Sequence, residues 1–393
     1  MVAAQGTTLD LTLPGEIRFG AGRVRELPGI MTGLGIARAM VVTGRTPHRA
    51  GSMRRALRDA GVDSVVLPVA GEPSVQTVRD GVAAVLEAGC DGVLGFGGGS
   101  ALDVAKAVAV LVPTGADPLD HLEVIGRGRP IERAGLPCVA VPTTAGTGSE
   151  VTRNAVLAGD GVKASLRSPS MLPRAAVVDP DLLAGLPPET IAAGGADALA
   201  QLVEPFLSAR ANPFTDALAR DGLRRSARSL ARAHRVGLDG DGAADLREDL
   251  ALASLLGGLC LANAGLGVVH GIAGPAGGRF GAPHGVLCAA LLAPATAVNV
   301  RAMSERAPKH PALARMPELA ALLTGDPEAT GVDALAWLAR LRTDLGVPGL
   351  GHYGVDRSDV PALVSAARRA SSTRANPIEL TDAEMSDIVM QAL

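Results

Sequence analysis

Apolar residues along the chain follow two rhythms, and the change from one to the other falls near residue 186. Before it, short apolar runs at 37–45, 65–68, 93–96, 136–142 and 177–180 alternate with stretches of helical period at 52–60, 74–88 and after residue 100. Strands that are apolar throughout, separated by amphipathic helices, predict a parallel sheet covered on both faces. After Leu186-Pro187-Pro188-Glu189 the strand-like runs stop. Long helical patterns take over at 190–208, 213–235, 245–262 and 286–299. The pattern therefore predicts an α/β, Rossmann-like domain over residues 1–185 and an all-helical domain over 186–393, with a site in the cleft between them. Residues 8–28 hold two alternating stretches around Pro14-Gly15, which predict a hairpin or a strand that pairs elsewhere.

One junction carries the first chemical signal. The buried run Val93, Leu94, Phe96 leads into Gly97, Gly98 and Gly99 and then into a helix, with Ser100 as the expected N-cap and Asp103 completing a capping box. Glycines here let a ligand approach the backbone, and the helix N-terminus favours an anion such as a phosphate or diphosphate. A tight turn with nothing bound would use the same residues. A second strand end, at 141–150, opens into V-P-T-T-A-G-T-G-S-E, whose Thr143, Thr144, Thr147 and Ser149 could wrap a nucleotide or form an ordinary surface turn. Its matching position, at the carboxyl end of a strand, favours the ligand.

Composition narrows the partners. Hydrophobic residues make up 47% and aromatics 2% of the 393 residues, so the core is expected to consist of Ala, Val and Leu. A net charge of -3 gives no reason to expect nucleic acid. Cys90, Cys138, Cys260 and Cys288 are well separated and lie in apolar segments, as buried free thiols of a reducing compartment would. The first residues show no basic region followed by an apolar run, and a cytoplasmic location is expected. Between residues 251 and 299 the only charged side chain is Arg279, but glycines, His270, His284, Pro275, Pro283 and Pro294 interrupt the run. Helices at the centre of a globular domain are expected there, with no membrane partner.

In the helical half, Asp197, Gln201 and Glu204 fall at i, i+4 and i+7 on one face of an apolar helix. His270 and His284 follow in glycine-rich apolar surroundings. Asp197 with the two histidines would make a three-ligand metal site with Gln201 as a fourth donor. Two hydrogen-bonded core histidines would read the same way from spacing alone.

Taken together, F-G-A-G near the start, G-G-G-S-A-L-D-V-A-K at 97–106, V-P-T-T-A-G-T-G-S-E-V-T at 141–152, V-V-D-P-D-L at 177–182, G-A-D-A-L at 195–199 and P-H-G at 283–285 resemble the iron-containing, metal-dependent alcohol dehydrogenases. The resemblance spans nearly the whole chain in the right order. It implies hydride transfer between NAD(P) and a small alcohol or aldehyde, in a cytoplasmic enzyme expected to be a homodimer. It also implies that Gly97, Gly98, Gly99 and Ser100 hold the diphosphate, and that Asp103, Thr143, Thr144, Thr147, Thr152 and Leu182 line the cofactor. Lys163 would meet the ribose, Asn154 would sit by the nicotinamide and substrate, and Asp197, Gln201, His270 and His284 would hold iron or zinc. His270 and His284 would thereby also be catalytic.

Three positions depart from the family: Gln201 replaces a ligand histidine, Gly274 a histidine near the substrate, and Ala295 a further one. The amide at 201 leaves open a metal-free enzyme similar to maleylacetate reductase, acting on an anionic substrate. A non-catalytic nucleotide-binding relative is the third reading. At the turn V-V-T-G-R, NAD-using members have Asp where Gly44 stands. Gly44 removes the charge that repels a 2′-phosphate, and Arg45 with Arg49 could grip one, so NADP(H) is expected over NAD(H).

Overall fold

The computed structural model describes residues 9–159 and 162–393; Thr8, at the start of the first alternating stretch, and residues 1–7 lie outside them. Six strands form one parallel sheet: β1 (Ile17–Phe19), β2 (Arg38–Thr43), β3 (Asp63–Pro68), β4 (Gly92–Gly97), β5 (Cys138–Pro142) and β8 (Ala175–Val178), in the order β1-β8-β5-β4-β2-β3. The remaining two, β6 (Asn154–Gly159) and β7 (Val162–Arg167), make a separate antiparallel pair. β1 pairs in parallel with β8, so the stretch around Pro14-Gly15 is a strand that pairs elsewhere and no hairpin.

The strands are apolar throughout because both faces of the sheet are covered. Val41, Leu94, Phe96, Val139, Val141 and Val177 pack against α1 (Leu27–Gly33) and α2 (Gly51–Asp59). Met40, Val42 and Val93 pack on the other face against α3 (Val75–Ala88) and α4 (Gly99–Leu111). Ser74 caps α3 by accepting from the Thr77 amide, and Gly89 closes it with φ 62°. A single turn, α5 (Pro118–His121), follows α4.

From Pro188 onward the chain is helical: α6 (Pro188–Leu207), α7 (Pro213–Val236), α8 (Ala244–Ala264), α9 (Val268–Phe280), α10 (His284–Arg306), α11 (Pro311–Ala314), α12 (Met316–Thr324), α13 (Gly331–Asp344), α14 (Val360–Arg369) and α15 (Asp382–Ala392). They share one core built mainly of Leu, Ala and Val, in keeping with the scarcity of aromatics. α10 is long and apolar enough to cross a membrane, but 67% of its most apolar window is buried inside the fold. It is a central helix of the bundle.

The two parts meet through glycine. A Cβ on Gly194 of α6 would lie 2.3 Å from the Ala145 carbonyl oxygen, and one on Gly258 of α8 would lie 2.6 Å from that of Gly148. At the start of α10, a Cβ on Gly285 would meet the Ala193 carbonyl oxygen at 2.0 Å. The Gly146 amide also donates to Ser254 Oγ at 2.7 Å. The loop after β5 is thus clamped, backbone on backbone, between α6 and α8.

Gly258→Ala should lower unfolding stability by roughly 1–3 kcal/mol, because backbone atoms must move to admit the methyl group. Gly274→Ala in α9, where the new Cβ meets nothing within 4 Å, should be neutral or stabilising by up to about 1 kcal/mol. Equal denaturant midpoints for the two variants would contradict the clamp.

Candidate active site

Connections leave β2 and β4 in opposite directions across the sheet, so a topological switch point lies between them at their carboxyl ends. Gly44 follows β2 there and Gly97 ends β4. A Cβ on Gly97 would lie 3.1 Å from the Gly44 amide nitrogen. The next two glycines admit the second loop: a Cβ on Gly98 would touch Thr144 Oγ1 at 3.1 Å, and one on Gly99 would strike Thr147 Cγ2 at 2.6 Å. Gly97, Gly98, Gly99, Ser100, Thr143, Thr144 and Thr147 therefore gather at one crevice. Part of the triplet's role is this packing of loop on loop.

The expected cap is different. α4 starts at Gly99 with Gly98 as N-cap and no side-chain cap, so Ser100 lies inside the first turn. Without a capping side chain, the first amides of α4 are left for an anion. Asp103 accepts instead from Ser149 Oγ (2.5 Å) and from the Val156 amide (2.9 Å). It ties α4 to the second loop and to β6.

Beneath that loop lies a buried cation. Lys106 Nζ is wholly inaccessible and donates to the carbonyl oxygens of Ser149 (2.8 Å) and Asn154 and to Thr152 Oγ1 (3.0 Å). The Thr152 hydroxyl is thus bonded to Lys106. Asn154 opens β6, where its carbonyl is held by Lys106. Burial lowers the Lys106 pKa, against the pull of Asp103, and burial also pushes the nearby Glu150 carboxyl up to about 7. Both groups are driven toward their neutral forms.

Other expected cofactor positions frame the crevice. Lys163 on β7 is half-buried, pairs with Glu72 at 3.0 Å and reaches α9 beside Gly277. Arg45 donates from Nε to the Ala70 carbonyl (2.6 Å), and Arg49 donates to the carbonyls of Leu182 (2.8 Å) and Ala184 (3.2 Å). Arg49 thus engages backbone carbonyls through one terminal amino group.

The polar residues of the helical half converge. Asp197 Oδ1 lies 3.2 Å from His270 Nε2 and 3.8 Å from His284 Nε2. Cys288, one turn after His284, brings its Sγ to 3.6 Å from His284 Nε2 and 3.8 Å from His270 Nε2. Each of the four offers one donor atom, all within 4.8 Å of one another. Glu204 completes the arrangement from behind. It accepts from the Val269 amide (2.8 Å) and from His270 Nδ1 (2.5 Å), which leaves His270 Nε2 turned to the other donors. Burial disfavours imidazolium at His270, but Cys288, Glu204 and Asp197 outweigh it and raise its pKa well above the ordinary value. Burial likewise works against the Asp197 carboxylate, and the two histidines and Gln201 overcome it to lower its pKa.

Gln201 is buried next to Asp197, and its Oε1 has no hydrogen-bond partner. Four convergent donors and a histidine oriented by a carboxylate fit a divalent cation. Sequence reasoning placed Glu204 on the same helix face as Asp197 without giving it a role, and it missed Cys288, which stands at i+4 from His284, a spacing that signals a shared face.

Residues 14–180 match the family described as iron-containing alcohol dehydrogenase, and residues 191–393 match the C-terminal domain of the Fe-containing alcohol dehydrogenase family. A 4-hydroxybutyrate dehydrogenase of Cupriavidus necator is 33% identical over 388 residues, covering 96% of this chain and 98% of the relative. A solved 1,3-propanediol oxidoreductase superposes with TM-score 0.90 at 32% identity, covering 98% of this chain and 100% of the other. A sulfoacetaldehyde reductase from Bifidobacterium kashiwanohense, crystallised with NAD+, gives TM-score 0.85 at 28% identity, with 98% and 99% covered. The chain belongs to the iron-containing alcohol dehydrogenase family and is an oxidoreductase acting on CH–OH groups. Membership implies a nicotinamide cofactor and a divalent metal.

The raised Glu150 pKa makes stability pH-dependent. The folded state holds a proton on Glu150 that the unfolded chain releases near 4.5, so this contribution is complete below that pH and is lost as pH rises through about 7. Across this window wild type should lose about 3 kcal/mol relative to Glu150→Gln. Denaturant titrations of both proteins at pH 5 and pH 8 measure the difference, and parallel curves would contradict it.

Proposed function

We propose that this enzyme transfers hydride between the C4 of a nicotinamide and a small aldehyde or alcohol, in the cleft between residues 1–185 and 186–393. The observation that carries the reading is the sharing of one helix turn. The loop expected to line the cofactor is pressed on Gly194, three residues before Asp197, while His284 enters through the contact of Gly285 with Ala193. A cofactor on the loops and a substrate at the donor cluster would therefore be held in fixed mutual register.

The chain's residues divide the work. The first amides of α4 and the Gly97–Gly99 turn would receive the diphosphate, and Lys163 would contact the ribose. Asp197, His270 and His284 would hold the divalent cation, with Glu204 fixing the His270 tautomer. Bound there, that cation supplies a Lewis acid that stabilises negative charge on the carbonyl oxygen by several kcal/mol. At Gly274, one turn beyond His270, a Cβ would meet nothing within 4 Å, so the substrate side is open where a histidine relay could otherwise stand. Exposed Leu9, Leu11 and Leu13, at alternating positions, support the homodimer as an interface in a cytoplasmic enzyme.

His284→Ala, or metal removal checked by elemental analysis, should lower kcat by at least about a hundredfold with small alcohols such as 4-hydroxybutyrate and 1,3-propanediol. Unchanged turnover in the metal-free protein would leave the metal-independent reading in its place.

The cofactor is inferred to be NADP(H) in preference to NAD(H). Gly44 stands at the switch point with nothing within 4 Å of a Cβ, so a 2′-phosphate meets neither bulk nor negative charge there. The bond from Arg45 Nε to Ala70 leaves its terminal amino groups for that phosphate. Gly44→Asp should shift the ratio of kcat/KM toward NADH by at least about tenfold, a difference of 1.4 kcal/mol. An NADH-favouring wild type, or a variant that keeps its NADPH use, would sink the inference.

A further inference from the structure

Among the four cysteines, Cys288 has unusual surroundings. The Cys260 thiol donates to the Thr215 carbonyl at 3.4 Å, as a core thiol does, whereas the recorded partners of Cys288 are two imidazole nitrogens, His284 Nε2 and His270 Nε2. Its position on α10 puts it one turn after His284, so both donors descend from the same helix face.

We infer that Cys288 is itself a metal ligand, supplying the fourth donor that Gln201 does not, and that its sulfur makes the site a zinc site in preference to an iron one. The inference rests on the metal reading above. Distances carry it first. Bonds of about 2.0–2.3 Å to oxygen, nitrogen and sulfur in a tetrahedral site place neighbouring donors roughly 3.3–3.6 Å apart. Four of the six donor pairs lie at 3.2, 3.6, 3.8 and 3.8 Å and the other two within 4.8 Å, so a cation needs only modest side-chain adjustments to bind all four. Gln201 is placed differently. It lies one turn after Asp197 on α6, its Oε1 has no hydrogen-bond partner, and a Cβ on Gly257 of α8 would stand 3.7 Å from that oxygen.

Donor chemistry carries the inference second. One carboxylate oxygen, two imidazoles and a thiolate form a softer set than a carboxylate with three imidazoles. Softer sets with tetrahedral geometry favour zinc, while iron and manganese gain from harder or higher-coordinate surroundings.

The test uses the full chain, stripped of metal and titrated with cobalt(II) alone as a spectroscopic stand-in for zinc. Wild type should take up one cobalt per chain and develop the near-ultraviolet sulfur-to-cobalt charge-transfer band of thiolate coordination. Cys288→Ser should lose that band, keep its far-ultraviolet circular dichroism and bind zinc at least about tenfold more weakly. Gln201→Ala should keep the band. In competition, zinc should displace iron(II) from wild type, and Cys288→Ser should lessen that advantage. If Cys288→Ser does not fold, X-ray absorption of the wild-type zinc protein decides, with one sulfur scatterer at about 2.3 Å expected. Cobalt bound without the band, a band that survives Cys288→Ser, or a first shell free of sulfur would overturn the Cys288 assignment while leaving the metal reading intact. Failure to bind cobalt or zinc at all would overturn both.

Discussion

Everything in this molecule that concerns chemistry depends on a contact made mainly by backbone. The loop after β5 lies against α6 and α8 with backbone touching backbone, at Gly146 with Gly194 and at Gly148 with Gly258, and the start of α10 is pressed onto α6 at Gly285. Protein interiors are packed too densely to absorb even one extra methylene without strain. A side chain at any of these glycines would push a loop or helix away from its neighbour. The crevice at the switch point and the donors on α6, α9 and α10 would then lose their common frame.

Buried charges complement this contact from both sides. On the sheet side, Lys106 gathers backbone oxygens of the second loop and of β6, and Asp103 gathers a hydroxyl and an amide from the same segments. On the helical side, Glu204 anchors the first turn of α9 and orients His270. In each case an ionisable group spends its hydrogen bonds on main chain that has to stay in place. Burying such groups is tolerable because they find these partners.

Around the donors the residues are small. Gly274 leaves open space, and Ala295 and Cys288 take up little room on the faces of α10. With so few aromatics, the helical core is made from Leu, Ala and Val, so its helices approach closely and one residue can alter what the cluster offers a ligand. Position 201 is the example. An amide stands there in place of an imidazole, and the side chain that reaches both histidines is Cys288.

The sheet, its crevice and most long helices could be read from the residues, because strands buried on both faces are apolar throughout and helices covering them keep a 3.6-residue period. The glycine triplet and the hydroxyl-rich loop were legible for the same local reason, as was the convergence of Asp197 with two histidines once their setting was compared with the family. Other features lay beyond local pattern. α9 is a complete helix although four glycines and Pro275 interrupt its signal, since packing against its neighbours outweighs weak intrinsic propensity. The pair β6 and β7 is partly exposed, and beyond the four apolar residues of β6 its β7 mixes Lys163, Ser165 and Arg167 with apolar positions. Capping chemistry suggested Ser100 and Asp103, but the approach of Ser149 and β6 drew Asp103 away and moved the helix start to Gly99. A thiol within an apolar run resembles any other core residue. Only the meeting of α6, α9 and α10 decided that the Cys288 sulfur faces two imidazoles, because a donor's partners are set by which helix faces pack together and no window of sequence contains all three.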